Sequence, residues 1–558
     1  MTRTHSTFAR RLTAMVLSPL LAAGFLIAVT AAPANAADGG VTLTGTVTGE
    51  APDGSFVPEA GVSVSLYELT GSGDIAVGVA SNADGSFTLD GVEPGRYRLH
   101  FERIGVNDAG LTSTWLGNTP HEAQSQIIEV GSTPITGLDA QLEIGSTISG
   151  VISLAEGPQP SAAASAFLLD HTTGEYERWG YRAPADASGN YTIRGLPAGT
   201  YILRFGDIYD QALVSTVYWD DSELIAASTP VEVAADQQLT GFDATVGPGG
   251  VYVGRLAGAD RFATSVEIAK AAFPSGFPEG SSRSVFIVNG LNFPDALGAG
   301  PAAAREGSPI LLVTPGSIPD VVKAELTELA PSKIYIVGGE PSVSAAVEAE
   351  LATNYTSDIV RFAGIDRFHT SRLLADHFWA GDDNRTAYLA TGMNFPDALS
   401  AAPAAANESA PVILVNGGLQ TVDVETKALL GDLGIEKVVV AGGEPSVSAG
   451  LKKSIDALPF VVESYRRNGA DRFATSLVTN QKSFPLADAA FLATGSGFPD
   501  ALAGAALAGS WFAPIYLVGQ NCVPGSVLQE IGRLHVRDVI LLGGQPTLSD
   551  NVLNLRQC

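Results

Sequence analysis

Gly258-Ala259-Asp260-Arg261-Phe262-Ala263-Thr264-Ser265 returns as Gly364-Ile365-Asp366-Arg367-Phe368-His369-Thr370-Ser371, and again as Gly469-Ala470-Asp471-Arg472-Phe473-Ala474-Thr475-Ser476. Three copies of one motif at even spacing mark an internal repeat, whose units bury their apolar surface against one another. Each copy opens a helix, with Asp260, Asp366 or Asp471 placed to cap it. A continuous apolar run follows each: Val285-Phe286-Ile287-Val288, Ala387-Tyr388-Leu389-Ala390 and Ala490-Phe491-Leu492-Ala493. Phe-Pro-Asp-Ala-Leu comes next at 293–297, 395–399 and 498–502, opening an Ala/Gly-rich helix. A second apolar run, another helix, a third run ending in Gly338-Gly339, Gly442-Gly443 or Gly543-Gly544, and a last helix complete each unit. Short apolar runs alternating with helices predict parallel strands buried on both faces, hence three α/β repeats over 248–355, 356–460 and 461–558.

Ahead of them lies a different unit, used twice over 37–143 and 144–247. Gly85 matches Gly189, Gly95 matches Gly199, and Trp115 matches Trp219. Its runs alternate with period two, as in Val62-Ser63-Val64-Ser65-Leu66-Tyr67 and Phe87-Thr88-Leu89, separated by turns such as Asp84-Gly85 and Pro94-Gly95. This pattern predicts two small antiparallel β-sandwiches. The segment Val246-Gly247-Pro248-Gly249-Gly250 reads as a flexible, cleavable linker between the two halves.

Residues 1–36 read as a secretory signal: Arg3, Arg10 and Arg11, an apolar stretch, and Ala34-Asn35-Ala36, with cleavage expected between Ala36 and Ala37. Their removal takes away three arginines and no acid, deepening the net charge from −27 to −30. That field repels nucleic acid and anionic membranes, so an anionic partner must be held by local cationic or amide groups. No later stretch is long and apolar enough for a membrane span, and the C-terminus shows no sorting motif, so retention at a surface is expected to be non-covalent. Export permits a disulfide between the two cysteines, Cys522 and Cys558, with two free thiols as the alternative. Closing that loop removes roughly 3–4 kcal/mol of unfolded-chain entropy on the simplest account.

The Asp-Arg-Phe, Phe-Pro-Asp and Gly-Gly motifs, in one order and three times, closely resemble the cell wall-binding repeat type 2 family. The resemblance implies a pseudo-threefold assembly holding a secreted protein on a Gram-positive wall, through anionic secondary polymers or peptidoglycan. It also implies that an Ile-Leu-Leu segment takes part in binding. That segment maps to Ile310-Leu311-Leu312, with Val412-Ile413-Leu414 and Ile515-Tyr516-Leu517 departing from it in the other units. Arg261, Arg367 and Arg472 recur at one position and are candidates for phosphate or carboxylate pairing, with an internal bridge to a neighbouring unit's aspartate as the alternative. Helix N-termini after glycine turns are further anion-binding candidates.

The stretches Ala83 to Tyr97 and Asp186 to Tyr201 resemble the prealbumin-like modules of the carboxypeptidase regulatory and Cna protein B-type families. No internal Lys–Asn crosslink can form there, because the first lysine is Lys270. The sandwiches read as a spacer, or as a glycan or matrix binder in which Trp115, Trp179, Trp219, Tyr181 and Tyr218 stack on sugars. Asp-rich turns are open to calcium but need only their turn geometry.

No HExxH, GxSxG, zinc spacing or phosphate loop is present, so neither catalytic residues nor a cofactor or metal is assigned. Asp295, Asp397 and Asp500 recur three times, which favours a structural part over catalysis. Three readings stay open: a non-catalytic wall-anchored surface protein, a polysaccharide-binding or polysaccharide-processing protein acting through starch-binding-like sandwiches, and an S-layer-like subunit.

Overall fold

The period-two runs of the first half form two sandwiches of two sheets each in the computed structural model. The structure describes residues 40–558 except 104–108, 155–156, 159–161, 172–174, 178–179, 208–215, 221, 223, 248–250, 279 and 293. The signal segment with Ala36 and Ala37, Trp179, and the centre of the linker therefore lie outside the described residues.

In the first sandwich, Val41–Glu50 pairs antiparallel with Ser86–Val92 and with Phe56–Pro58. The facing sheet is Ile75–Ala80, Val62–Glu68, Gly95–Arg103 and Thr114–Trp115, with Ile128–Val130 added on Gly95–Arg103. Leu43, Val64, Leu66, Leu89, Leu99 and Phe101 meet between the sheets with no exposure. The second sandwich repeats this plan around Ile148, Ile193, Leu203 and Phe205. The expectation of wholly antiparallel sheets needs one adjustment, since the last strand of each sandwich runs parallel to the first: Ala140–Leu142 beside Val41–Glu50, and Ala244–Thr245 beside Ser146–Leu154. Only a tight hairpin forces opposite directions, and these partners are joined by most of the sandwich.

The aspartate turns are closed by their own side chains. Asp84 accepts from the Ser86 backbone N–H at 3.0 Å and from its hydroxyl at 2.6 Å, and Asp186 accepts from the backbone of Ser188 and Asn190. Gly85 and Gly189 supply the positive φ that each turn requires.

In the second half each unit contributes three parallel strands to a four-stranded sheet, and the fourth comes from elsewhere. Ile310–Val313, Ser284–Asn289 and Lys333–Val337 are completed by Ile359–Phe362, the strand that leads into the second Asp-Arg-Phe motif. Val412–Val415, Thr386–Thr391 and Lys437–Ala441 are completed by Glu463–Arg467. Ile515–Val518, Ala489–Thr494 and Asp538–Leu542 are completed by Tyr252–Leu256, the first strand of the whole triplet. Each unit thus lends its leading strand to the sheet before it, and the third sheet takes the first unit's strand, closing a ring. The Ala/Gly-rich helices, Ala299–Arg305, Pro396–Asn407 and Pro499–Ser510, meet at its centre. Their approach requires small residues. A Cβ on Gly300 would stand 2.9 Å from Ala505 Cβ and 3.0 Å from Ala402 Cβ, and one on Gly509 would crowd Ala304 and Ala406.

The two halves are docked. Backbone N–H groups of Ser464 and Arg466 donate to Leu69 O and Gly71 O at 2.8 and 3.0 Å, so the 69–72 loop of the first sandwich lies along the open edge of the second sheet as an added strand. Lys452 Nζ donates to Thr70 O, Arg96 Nη1 to Val462 O, and buried Arg98 pairs with Glu463. The second sandwich packs Phe167, Ile202 and Tyr218 against Leu486, and Asp488 accepts from Ile225 N–H. The side chains at 98, 202 and 218 lie on sheet faces that an isolated sandwich would leave in water. A freely swinging pair of halves, as read from the linker, is therefore replaced by a built interface. Cys522 and Cys558 are joined, tying the C-terminal residues to the start of the last unit's second apolar strand-to-helix turn.

Candidate functional site

Every position of the repeated motif has a structural task. Asp260 accepts from the N–H groups of Phe262 and Ala263, Asp366 from His369, and Asp471 from Phe473 and Ala474, so the side chain that starts each helix also occupies its free amides. Thr264, Thr370 and Thr475 accept from Gly258, Gly364 and Gly469 N–H at 3.0–3.2 Å. Ser265, Ser371 and Ser476 accept from Leu312, Leu414 and Leu517 N–H at 2.9–3.2 Å. The motif serine therefore satisfies an amide on the edge strand that carries Ile-Leu-Leu.

Ile310, Leu311, Leu312, Val412, Ile413, Leu414, Ile515, Tyr516 and Leu517 are all buried, at 2 % exposure or less. Their side chains fill both faces of a covered sheet and do not reach the surface.

The arginines lie at the junctions between units. Arg261, Arg367 and Arg472 donate through Nη1 to the carbonyls of Gly290, Gly392 and Gly495 at 2.8, 2.7 and 2.5 Å. The guanidiniums of Arg472 and Arg261 also face the previous unit around the ring. Burial pushes the Asp397 and Asp500 carboxyls up, opposed by Arg472 and Arg261 respectively. Thr370 of the second unit reaches Asp295 of the first at 3.4 Å. Arg472 also lies over the Phe395 ring, 5.9 Å from its centre, and Phe395 contacts Phe498. At two junctions an arginine thus meets a buried aspartate and the start of a central helix, while at the third the half-buried Asp295 meets Thr370. The helices Pro396–Asn407 and Pro499–Ser510 begin there without a side-chain cap, unlike the Asp-capped ones.

The aspartates in turn rest on the glycine pairs. Gly338, Gly442 and Gly543 have φ near +110° (111°, 108° and 106°), and a Cβ on any of them would strike the carboxylate of Asp295, Asp397 or Asp500. Ser342 and Ser446 donate to Asp295 and Asp397. These hydroxyls escaped the sequence reading, although their signal is present: a hydroxyl residue stands four positions after the first glycine in every unit, Ser342, Ser446 and Thr547. The junctions are not identical. Leu291 and Met393 are exposed on two of them where the third has Ser496, and Ile365 is 92 % exposed where the others have Ala259 and Ala470.

Among the described residues, the aromatic side chains considered for sugar stacking make packing contacts. Trp115 is buried against His100 and Tyr67, with ring centres 4.5 and 5.4 Å away. Tyr218 is buried, Trp219 lies on Phe242, and Tyr181 meets Tyr201 edge-on.

Residues 255–348, 361–452 and 466–553 each match the family described as cell wall binding domain 2. The C-terminal half is a triplet of cell wall binding domain 2 repeats. Residues 42–123, in the first sandwich, match the carboxypeptidase regulatory-like domain. Among curated proteins the chain is 26 % identical over 303 residues to N-acetylmuramoyl-L-alanine amidase LytC of Bacillus subtilis, covering 54 % of this chain and 57 % of that one. It is 28 % identical over 288 residues to the amidase enhancer of the same organism, covering 51 % and 37 %. The chain therefore spans about half the length, or less, of these relatives. Cwp6 from Clostridium difficile shares the fold with a TM-score of 0.50 at 19 % identity, over 88 % of this chain and 68 % of that one. Among the described residues no helix is long and apolar enough to cross a membrane.

Proposed function

We propose that this chain is a secreted, non-catalytic surface protein held on the bacterial wall without a covalent bond, through anionic wall polymer seated at the junctions of the triplet. The observation that carries this reading is the threefold recurrence of one arginine at the junctions between units, joined at two of them by a buried aspartate and an uncapped helix N-terminus. Amide groups and a guanidinium are the local attractors that an otherwise strongly acidic chain needs in order to hold an anion. Three sites fixed on one ring gain from multivalent engagement of a repeating polymer, so weak single contacts suffice. The working division is signal at 1–36, sandwiches at 37–143 and 144–247, and repeats starting at 248, 356 and 461. The sandwiches act as a rigid attachment on one side of the ring, and the packed state of their aromatics disfavours glycan capture through those side chains.

Co-sedimentation of residues 37–558 with purified walls tests this. Binding is expected to intact walls and to be lost after acid extraction of the secondary polymers. Equal binding to stripped walls would move the ligand to peptidoglycan, and no binding to either would sink the proposal.

A further inference from the structure

Where the two sandwiches meet, the first contributes His121, just ahead of the short helical turn Glu122–Gln124. The second contributes Asp170, at the end of strand Ala162–Asp170, and Glu177, just beyond the return strand. One ligand atom from each lies within 4.8 Å of the other two. His121 Nδ1 and Glu177 Oε1 are 3.3 Å apart, and Asp170 is only 4 % exposed. Donors around a shared zinc ion stand about 3.3 Å apart, given bonds of roughly 2.0–2.1 Å in a tetrahedron. The neutral imidazole and two carboxylates together would cancel a divalent charge. The three donors thus converge across an interface between two modules.

We propose that His121, Asp170 and Glu177 form a divalent transition-metal site of the zinc class that clasps the two sandwiches to each other. One nitrogen and two carboxylate oxygens suit zinc, with water filling a remaining position. Because its donors come from both modules, the ion would stabilise their contact rather than either module alone.

Titration of metal-stripped residues 37–558 with Zn²⁺ in a calorimeter tests this. About one equivalent should bind. His121→Ala and Glu177→Gln should each weaken binding at least roughly tenfold. Saturating zinc should raise the melting temperature of the parent and leave that of either variant unchanged. Absence of saturable binding, or uptake unchanged in both variants, would each overturn the site.

Discussion

His100 shows how a single position reports on its surroundings. It sits on the outward face of its strand, yet it is buried under Trp115, and burial depresses its imidazole to about 4. The native state holds it neutral, while the unfolded chain takes up a proton near pH 6.5. Its contribution to stability is therefore complete above pH 6.5 and is lost as pH falls toward 4, an effect of roughly 3 kcal/mol. Chemical denaturation at pH 7 and pH 4 should show His100→Gln losing less stability than the parent by about that amount; parallel losses would mean that the ring is already charged in the fold. At the same scale, the glycines of the Gly-Gly pairs look from sequence like simple turn closers. Only the structure shows that Gly442 has no Cβ because Asp397 fills that place. A turn signal records a backbone angle and is silent about which side chain lies against it.

At the level of strands and helices, the edge strand Tyr252–Leu256 is the clearest case of an element whose partner lies far away in sequence. It lies beside Asp538–Leu542, and Arg255 donates to Gly543 O at 2.7 Å. A fragment of residues 251–558 should therefore be more stable than one of residues 258–558, by several kcal/mol for a lost strand and an uncovered sheet edge. Thermal unfolding of the two fragments decides it, and equal midpoints would show that the ring closes without this strand. Periodicity made the strands, the helices and the α/β class legible, because apolar runs such as Val285 to Val288 are bounded by helix signals. It did not disclose the exchange. A parallel strand buried on both faces shows no preference for one neighbour, and Ile359–Phe362 reads equally well as the start of its own unit. The part played by the Ile-Leu-Leu segment is illegible for a related reason: an apolar run in a covered sheet looks the same whether it lines a site or lies beneath one.

For the molecule as a whole, the docking of the sandwiches was hidden because their strands alternate as a water-facing sheet should. Arg98 and His100 occupy polar positions in that alternation, and the pairing of Arg98 with Glu463 shows that the polar face is also an interface. A cut at residues 248–250 is accordingly expected to leave the two halves together. The nicked protein should elute as one species in size-exclusion chromatography, and separation into two would show the interface to be weak. The loop at 69–72 covers one of three equivalent sheet edges, whereas Tyr252 on another is 66 % exposed, so the ring has lost its threefold equivalence and gained a direction. The closed exchange of strands also acts as a counter. A fourth copy of the unit, added at either end, would find no sheet lacking a strand unless the ring opened, and loss of one copy would leave a lent strand and an unfilled edge too far apart to meet. Copy number in such a molecule cannot drift one unit at a time, so change is directed into the surfaces of the three junctions, where Leu291, Met393 and Ser496 already differ.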